Sequence, residues 1–533
     1  MSKARMIPFD RKHLLIIGFQ QKFENIKAMK LRFSIYNILI SLFLTSALPV
    51  IAQTPLIQAT KNQNKNEVET LLGQGVNINE PQGDGATALH WAIYRNDERI
   101  TELLLGHGAN PNASDDHGVS PLSLAALNAN PHLVKLLIDE GADVNAARSS
   151  GETSLMIASH VGSTAVMELL LSAGANPNTT ERNKRHTALM MAVAERHLDA
   201  ARLLIDRGAL VSARSQNNYT PLLFAAQQGS IELGKLLLDK GANANESAPD
   251  GISGNTNARW SLIPGTNASA LMVAIDSGHE EMAIFLLENG ADPDLHGAGR
   301  TALHSAVQHK MHTLAKALLE SGANPDAKLT RNMPVFSRVI LIDNGLSVDK
   351  LGATPFFLSA GYNDLEMMDI LIEGGADPFI NSNDATTPLK VAAGADFVEG
   401  QDKYNRRWFD DNIVALQEAA LLAVEKCLEL GIKINAKNQR NQTALHGAVY
   451  LAGVELLSYL VAQGADINAI NNRGQTPWLI ASQGEYRAGS LQTLPHIADH
   501  LKTLGADTTL GEDLGRYWER DARERTGQES QTR

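Results

Sequence analysis

Cysteine is almost missing from this chain. Among 533 residues only Cys427 occurs, which excludes an internal disulfide framework and any Cys-based zinc or iron–sulfur cluster. Long apolar runs are nearly missing too. The one candidate, Ile35 to Leu48, is shorter than the roughly 20 residues that a membrane-spanning helix needs. Net positive charge is absent: the formal balance is −12. An acidic surface repels phosphate backbones, so nucleic-acid binding is not expected. With 44% hydrophobic and 20% charged residues, the composition also excludes wholesale disorder.

The apolar run has a specific setting. Met29-Lys30-Leu31-Arg32 supplies a charged start, and Pro49-Val50-Ile51-Ala52 places small residues before Gln53. This is the layout of a secretory signal peptide over 29–52, with cleavage expected after Ala52 and a periplasmic or secreted mature chain. Met29 would serve as a natural start, so residues 1–28 read as an over-long gene start. Cleavage removes eight Lys/Arg and two Asp/Glu and takes the net charge from −12 to −18. No membrane span is expected after cleavage.

What the chain has is a repeat. Thr/Ser-x-hydrophobic starts recur at Thr54, Thr87, Ser120, Thr153, Thr187, Thr220, Ser269, Thr301, Thr354, Thr387, Thr443 and Thr476. The first five intervals are 33, 33, 33, 34 and 33 residues. Twenty-one residues after most starts comes Gly-Ala-Asn/Asp, as at Gly108-Ala109-Asn110 and Gly464-Ala465-Asp466. Each unit reads as a pair of short helices. Thr or Ser supplies the N-cap oxygen, and Pro, where present, suits the first helical position. Polar residues such as Arg95-Asn96-Asp97 break the first helix. The second shows Ile100, Leu103 and Leu104 on one face, and Gly108 ends it in a left-handed cap. Asn, Asp and Gly then make the turn to the next unit.

These residues resemble the ankyrin repeat, with its T-P-L-H-x-A signature at a period of 33. The resemblance covers about 53–510, and the order of units and inserts is similar to exported bacterial ankyrin-repeat proteins. It implies an all-α solenoid of about twelve helix-turn-helix units with projecting β-turn fingers. It also implies a non-catalytic scaffold whose partner is another protein. By analogy with ankyrin binders, Trp91 and Tyr94 are expected on the concave side with Arg95 at the edge; core packing of Trp91 is the other reading. Residues 511–533 read as a cap followed by a disordered tail.

Departures from the period mark inserts near 247–266, 329–349 and 396–418, and a smaller excess of 8 residues lies within the last unit. The first two fall in fingers; the third falls between the two helices of its unit, where the amphipathic run from Ile413 to Leu430 lengthens the second helix. Arg259 and Trp260 in the first, and Tyr404, Arg406, Arg407 and Trp408 in the third, are candidate partner contacts, because Trp, Tyr and Arg dominate interface hot spots. Two readings stand for these groups: contact with a partner, or folding back over the stack.

No cofactor, metal or catalytic constellation emerges. His90, His304 and His446 share one motif position and read as buried imidazoles bonding backbone. His309 with His312, and His496 with His500, have helical spacing for a metal pair, yet neither has a neighbouring carboxylate in sequence apart from Asp499. No nucleophile-elbow, zincin or phosphate-loop segment follows an expected strand. Cys427 reads as a small packed residue. Alternative readings are a secreted effector that binds host proteins, and an enzyme or metal sensor built on the inserts.

Overall fold

A computed structural model describes residues 54–248, 267–297, 299–330, 350–394, 413–483, 485–487 and 490–511. Residues 1–53, which include the segment 29–52 expected to be a leader, the insert residues 249–266, 331–349 and 395–412, and residues 512–533 lie outside the described residues. With them go Arg259, Trp260, Tyr404, Arg406, Arg407 and Trp408.

Each start found by arithmetic opens a helix pair. Thr54 and Thr87 precede Pro55–Lys61 with Lys65–Gly73 and Ala88–Tyr94 with Glu98–Gly106. Ten further pairs run from Pro121–Leu127 with Pro131–Asp139 to Pro477–Gln483 with Pro495–Thr503. Most first helices have seven or eight residues and most second helices nine. The fold is all-α; among the described residues the exceptions are single bridges in the fingers and one two-stranded hairpin. That hairpin, Glu485–Arg487 antiparallel to Ser490–Gln492, occupies the excess in the last repeat.

The described chain forms two compact bodies, within 1–116 (repeats 1 and 2) and within 117–533 (repeats 3–12). Inside each, first helices pack on first helices and second on second. A lone helix pair cannot bury its apolar faces, so neighbouring repeats supply the cover. Ile100 and Leu104 in the first body, and Leu133, Val134 and Leu137 in the second, are almost wholly buried. Each such side chain contributes about 1.5–3 kcal/mol.

Capping explains the motif. Thr354 Oγ1 accepts the Phe357 N–H at 3.2 Å, satisfying one orphan donor of the helix start. Where His stands three residues on, the ring completes a reciprocal box. Thr87, Thr301 and Thr443 each donate N–H to the His Nδ1 at 3.1, 3.2 and 3.1 Å. Nδ1 is therefore the unprotonated nitrogen, and Nε2–H of His304 and His446 faces the carbonyls of Ala353 (3.3 Å) and Gln475 (3.4 Å). Burial lowers both imidazoles to a pKa of about 4, and the carbonyl bonds only partly oppose it. These histidines are neutral structural pins.

Two devices join consecutive repeats. In the fingers, Ser149 N–H donates to His117 O, Arg182 N–H to Ser150 O, and Gln216 N–H to Lys184 O, at 2.7–2.9 Å. Gly118, at φ +75°, lies so close to the next finger that an added Cβ would sit 2.8 Å from Ser149 N, which leaves room for no side chain. In the loops after the second helices, an Asx side chain reaches one repeat ahead. Asn145 Oδ1 accepts the Asn176 N–H at 2.9 Å while its Nδ2 donates to Gly174 O at 3.1 Å. Asn79 does the same within the first body. Asn178, Asn245 and Asn435 repeat the clamp in the second, and Asp294, Asp326 and Asn468 make its acceptor half.

The 34-residue interval has a local cause. Its extra residue lies in the finger between Glu181 and His186, where the hairpin closes Glu181 N–H to His186 O. The buried Glu181 carboxylate accepts N–H bonds from Asn183 (2.6 Å), Lys184 (2.7 Å) and His186 (3.1 Å). Burial raises its pKa, but these three bonds more than reverse that and hold it ionised.

The described residues on either side of each insert fix its two ends. Ser247 pairs with Ser269, and Leu329 N–H donates to Ala353 O at 2.9 Å, so the first two leave from and return to finger bases. The third separates Pro388–Ala392 from a 17-residue second helix, Ile413–Glu429. Gln417 on that helix donates to Leu451 O (3.0 Å) and Ala452 O (3.1 Å), capping the end of the next first helix. Cys427 on the same helix is fully buried, and burial pushes its thiol up to about 12.

Candidate partner-binding face

The fourth residue after each cap lies on one side of the first helix, with the seventh one turn on. In repeat 2 these are Trp91 and Tyr94. Their rings meet edge to face, 5.6 Å apart at 79°. Trp91 is half-buried. Its Nε1 donates to Gln82 Oε1 at 3.3 Å, and Lys61 Nζ donates to the same oxygen at 2.8 Å while lying 4.3 Å over the indole. Burial lowers the Lys61 pKa and Asp84 opposes it. The indole is thus held from three sides, and Tyr94 stands beside it 60% exposed. Arg95 is the C-cap of this helix and its side chain is exposed. The structure brings the Trp91 and Tyr94 rings together and adds Lys61 and Gln82, which the sequence reading missed.

In the second body the same phase carries apolar groups. Leu124, Met191 and Phe224 are half-buried at the fourth position; Leu127 and Val161 are 48% and 37% exposed at the seventh and eighth. The His186 ring, at a finger base, meets the Phe224 ring of the next repeat at 5.4 Å, and Tyr219 lies 5.6 Å from it. Burial is the largest influence on His186 and lowers its pKa; it likewise raises that of Tyr219 to about 12. The signal that could have found this strip was in the sequence: Leu124, Met191 and Phe224 share the register of Trp91.

Other polar clusters are structural. His309 and His312 face different carboxylates. The carboxylates that seemed lacking come from other repeats: His309 Nε2 lies 3.6 Å from Asp276, and His312 Nε2 lies 2.9 Å from Asp364. Sequence spacing could not show partners 33 and 52 residues away. His500 bonds Ser458 at 2.7 Å. Among the described residues no group of three or more His, Cys, Asp or Glu is placed to hold a metal ion. An open groove of about 960 Å³ lies between second helices of repeats 3–5. Three of its charges are held in pairs: Lys135 with Asp139, Glu168 with Arg207, and Asp206 with Lys240.

Comparison with known families decides the identity. Models of ankyrin repeats match residues 35–115, 103–181, 155–248 and 252–328, and a single-repeat model matches 440–472. The chain belongs to the ankyrin-repeat family. The first match begins inside the segment expected to be a leader. Among curated ankyrin-repeat proteins, human neurogenic locus notch homolog protein 1 is 34% identical over 145 residues, 25% of this chain and 6% of that protein. Human ankyrin repeat and SOCS box protein 16 is 33% identical over 247 residues, 42% of this chain and 49% of that protein. A fruit-fly (Drosophila melanogaster) transient receptor potential cation channel, subfamily A member 1, is 24% identical over 134 residues, 25% of this chain and 10% of the channel. The chain therefore spans at most about half the length of these relatives. Among the described residues of this ankyrin-repeat chain, no helix is long and apolar enough to cross a membrane.

Proposed function

We propose that this ankyrin-repeat chain is an exported, non-catalytic scaffold that captures another protein on its fingers and first-helix face. The observation that carries the reading is the pair Trp91 and Tyr94. Aromatic groups fixed in place and open to solvent lose little entropy on binding, which suits them to anchor a partner. Gln82 and Lys61 hold the indole in place. Export rests on the layout of residues 29–52 and suits a chain whose one thiol is buried.

Affinity capture from the native host's extract tests the binding. The Trp91→Ala/Tyr94→Ala chain should retain about 30-fold less of the captured protein than the parent, as loss of a hot spot near 2 kcal/mol implies. Equal retention with unchanged helicity would remove these residues from the site. For export, the chain recovered from its native host should begin at Gln53; a chain still carrying residues 29–52 in the cytoplasm would end that part of the reading.

A further inference from the structure

We propose that the first-helix face of repeats 3–6 receives an acidic amphipathic segment of the partner protein. This rests on the scaffold reading above and adds the chemistry of the ligand. The floor is aliphatic: Leu124, Leu127, Val161 and Met191 on successive first helices, ending at the half-buried Phe224. The fingers beside it are basic. They carry Arg148, Arg182, Lys184, Arg185 and Arg214, in a chain whose overall balance is −12. The contact between the His186 and Phe224 rings ties the finger base to the floor.

The positive charge of these fingers is left over. Their acids are Glu152, 3.9 Å from Arg148, and Glu181, an ionised carboxylate buried against three backbone N–H groups, so the five cations outnumber the acids and leave a net positive charge. Arg182 donates to Ser149 O, and Arg214 to Asn218 O and Ser247 O; carbonyl partners orient a guanidinium without neutralising it. Lys184 and Arg185 are exposed at the tip of the lengthened finger, where Arg185 takes φ +55°. The Glu181 carboxylate that organises this turn also presents the basic pair. At the far ends of the first helices, away from the fingers, His160 Nδ1 lies 3.6 Å from Glu195 Oε1.

A ligand complementary to both parts places apolar side chains on the floor and carboxylates against the fingers. Carboxylates answer planar guanidinium donors, and opposite potentials steer encounter and set register. A nucleic acid fits less well. Single strands bind on aromatic platforms along a basic groove, and four of the five floor residues are aliphatic.

The test uses the purified full chain and fluorescence anisotropy with four labelled probes. One is a peptide of about five helical turns with Leu on one face and Glu on the other. The second replaces every Glu by Lys, the third every Leu by Ser, and the fourth is a single-stranded oligo-dT of similar charge. The Glu/Leu peptide should bind at least tenfold tighter than each of the others, and more weakly in high salt. Lys184→Glu/Arg185→Glu should weaken it about tenfold, and Leu127→Asp should abolish it, both with parental circular dichroism. If the Lys/Leu peptide binds equally and Leu127→Asp still abolishes it, the acidic-ligand proposal falls while the face remains a protein-binding site. Preference for oligo-dT, or no binding by any probe, also overturns the proposal. The capture experiment at Trp91 and Tyr94 then judges the scaffold reading separately.

Discussion

The Arg300→Leu chain is expected to be less stable than the parent by about 3–5 kcal/mol at pH 7.5, the usual cost of leaving one member of a buried ion pair alone. Arg300 Nη2 lies 2.6 Å from Asp276 Oδ2, and its Nε donates to Ser305 Oγ at 2.9 Å. The Arg300 and Asp276 side chains are only 8% and 12% exposed, so water cannot replace the guanidinium. Burial raises the Asp276 pKa, but bonds and charge from His309 and Arg300 overcome it and leave the carboxyl below its usual value. Without Arg300 that balance shifts upward. A carboxyl raised above its unfolded pKa costs stability at pH above the unfolded value, and the cost vanishes as acid protonates both states. The deficit should accordingly shrink between pH 7.5 and 4. Urea unfolding followed by circular dichroism at both values checks this; a loss below 1 kcal/mol at pH 7.5 would show that the pair is not uncompensated when broken. Adding Asp276→Asn should recover much of the loss.

Replacing Lys390 by methionine should have the opposite sign. Lys390 stands at the motif position held elsewhere by His90, His304 and His446, and its side chain is 2% exposed. Its ammonium reaches Gln442 of the next repeat at 3.2 Å. Burial lowers its pKa to about 7, with Asp384 opposing and Arg440 adding to the fall. Between pH 7 and 10.5 the unfolded chain therefore binds more protons than the folded one, and stability rises with pH across that window. The parent should gain stability on going from pH 7 to 9.5, whereas Lys390→Met should start about 2 kcal/mol higher at pH 7 and stay flat over the range. A variant that is less stable at pH 7 would mean that the bond to Gln442 outweighs desolvation.

The fold was legible because its signals are local and repeated. Cap residue, first-turn proline, polar break and left-handed glycine each act within one turn, and twelve copies fix the phase. The choice of Trp91 and Tyr94 came from analogy with ankyrin binders laid on that phase. What escaped depends on the neighbouring repeat. The asparagines read as turn formers do form turns, but Asn145 also reaches a backbone N–H 31 residues on. The carboxylates facing His309 and His312, and Gln417 capping Ala444–Leu451, are contacts of the same kind. Exposure along the strip is likewise set by stacking: Leu124 and Ile157 share a register, yet Ile157 is 7% exposed and Leu124 more open. Insert residues such as Arg406 and Trp408 have no period, so composition alone spoke for them.

The asparagine clamps have a consequence for how the second body yields. The bridging position is Ser212 after repeat 5 and Phe379 after repeat 9, and among the described residues neither side chain bonds the loop that follows. Nearest-neighbour coupling is what makes a repeat array melt as a unit. Under heat or tension the body should thus give way first at these two seams, parting into blocks of three, four and three repeats before any block loses its own core.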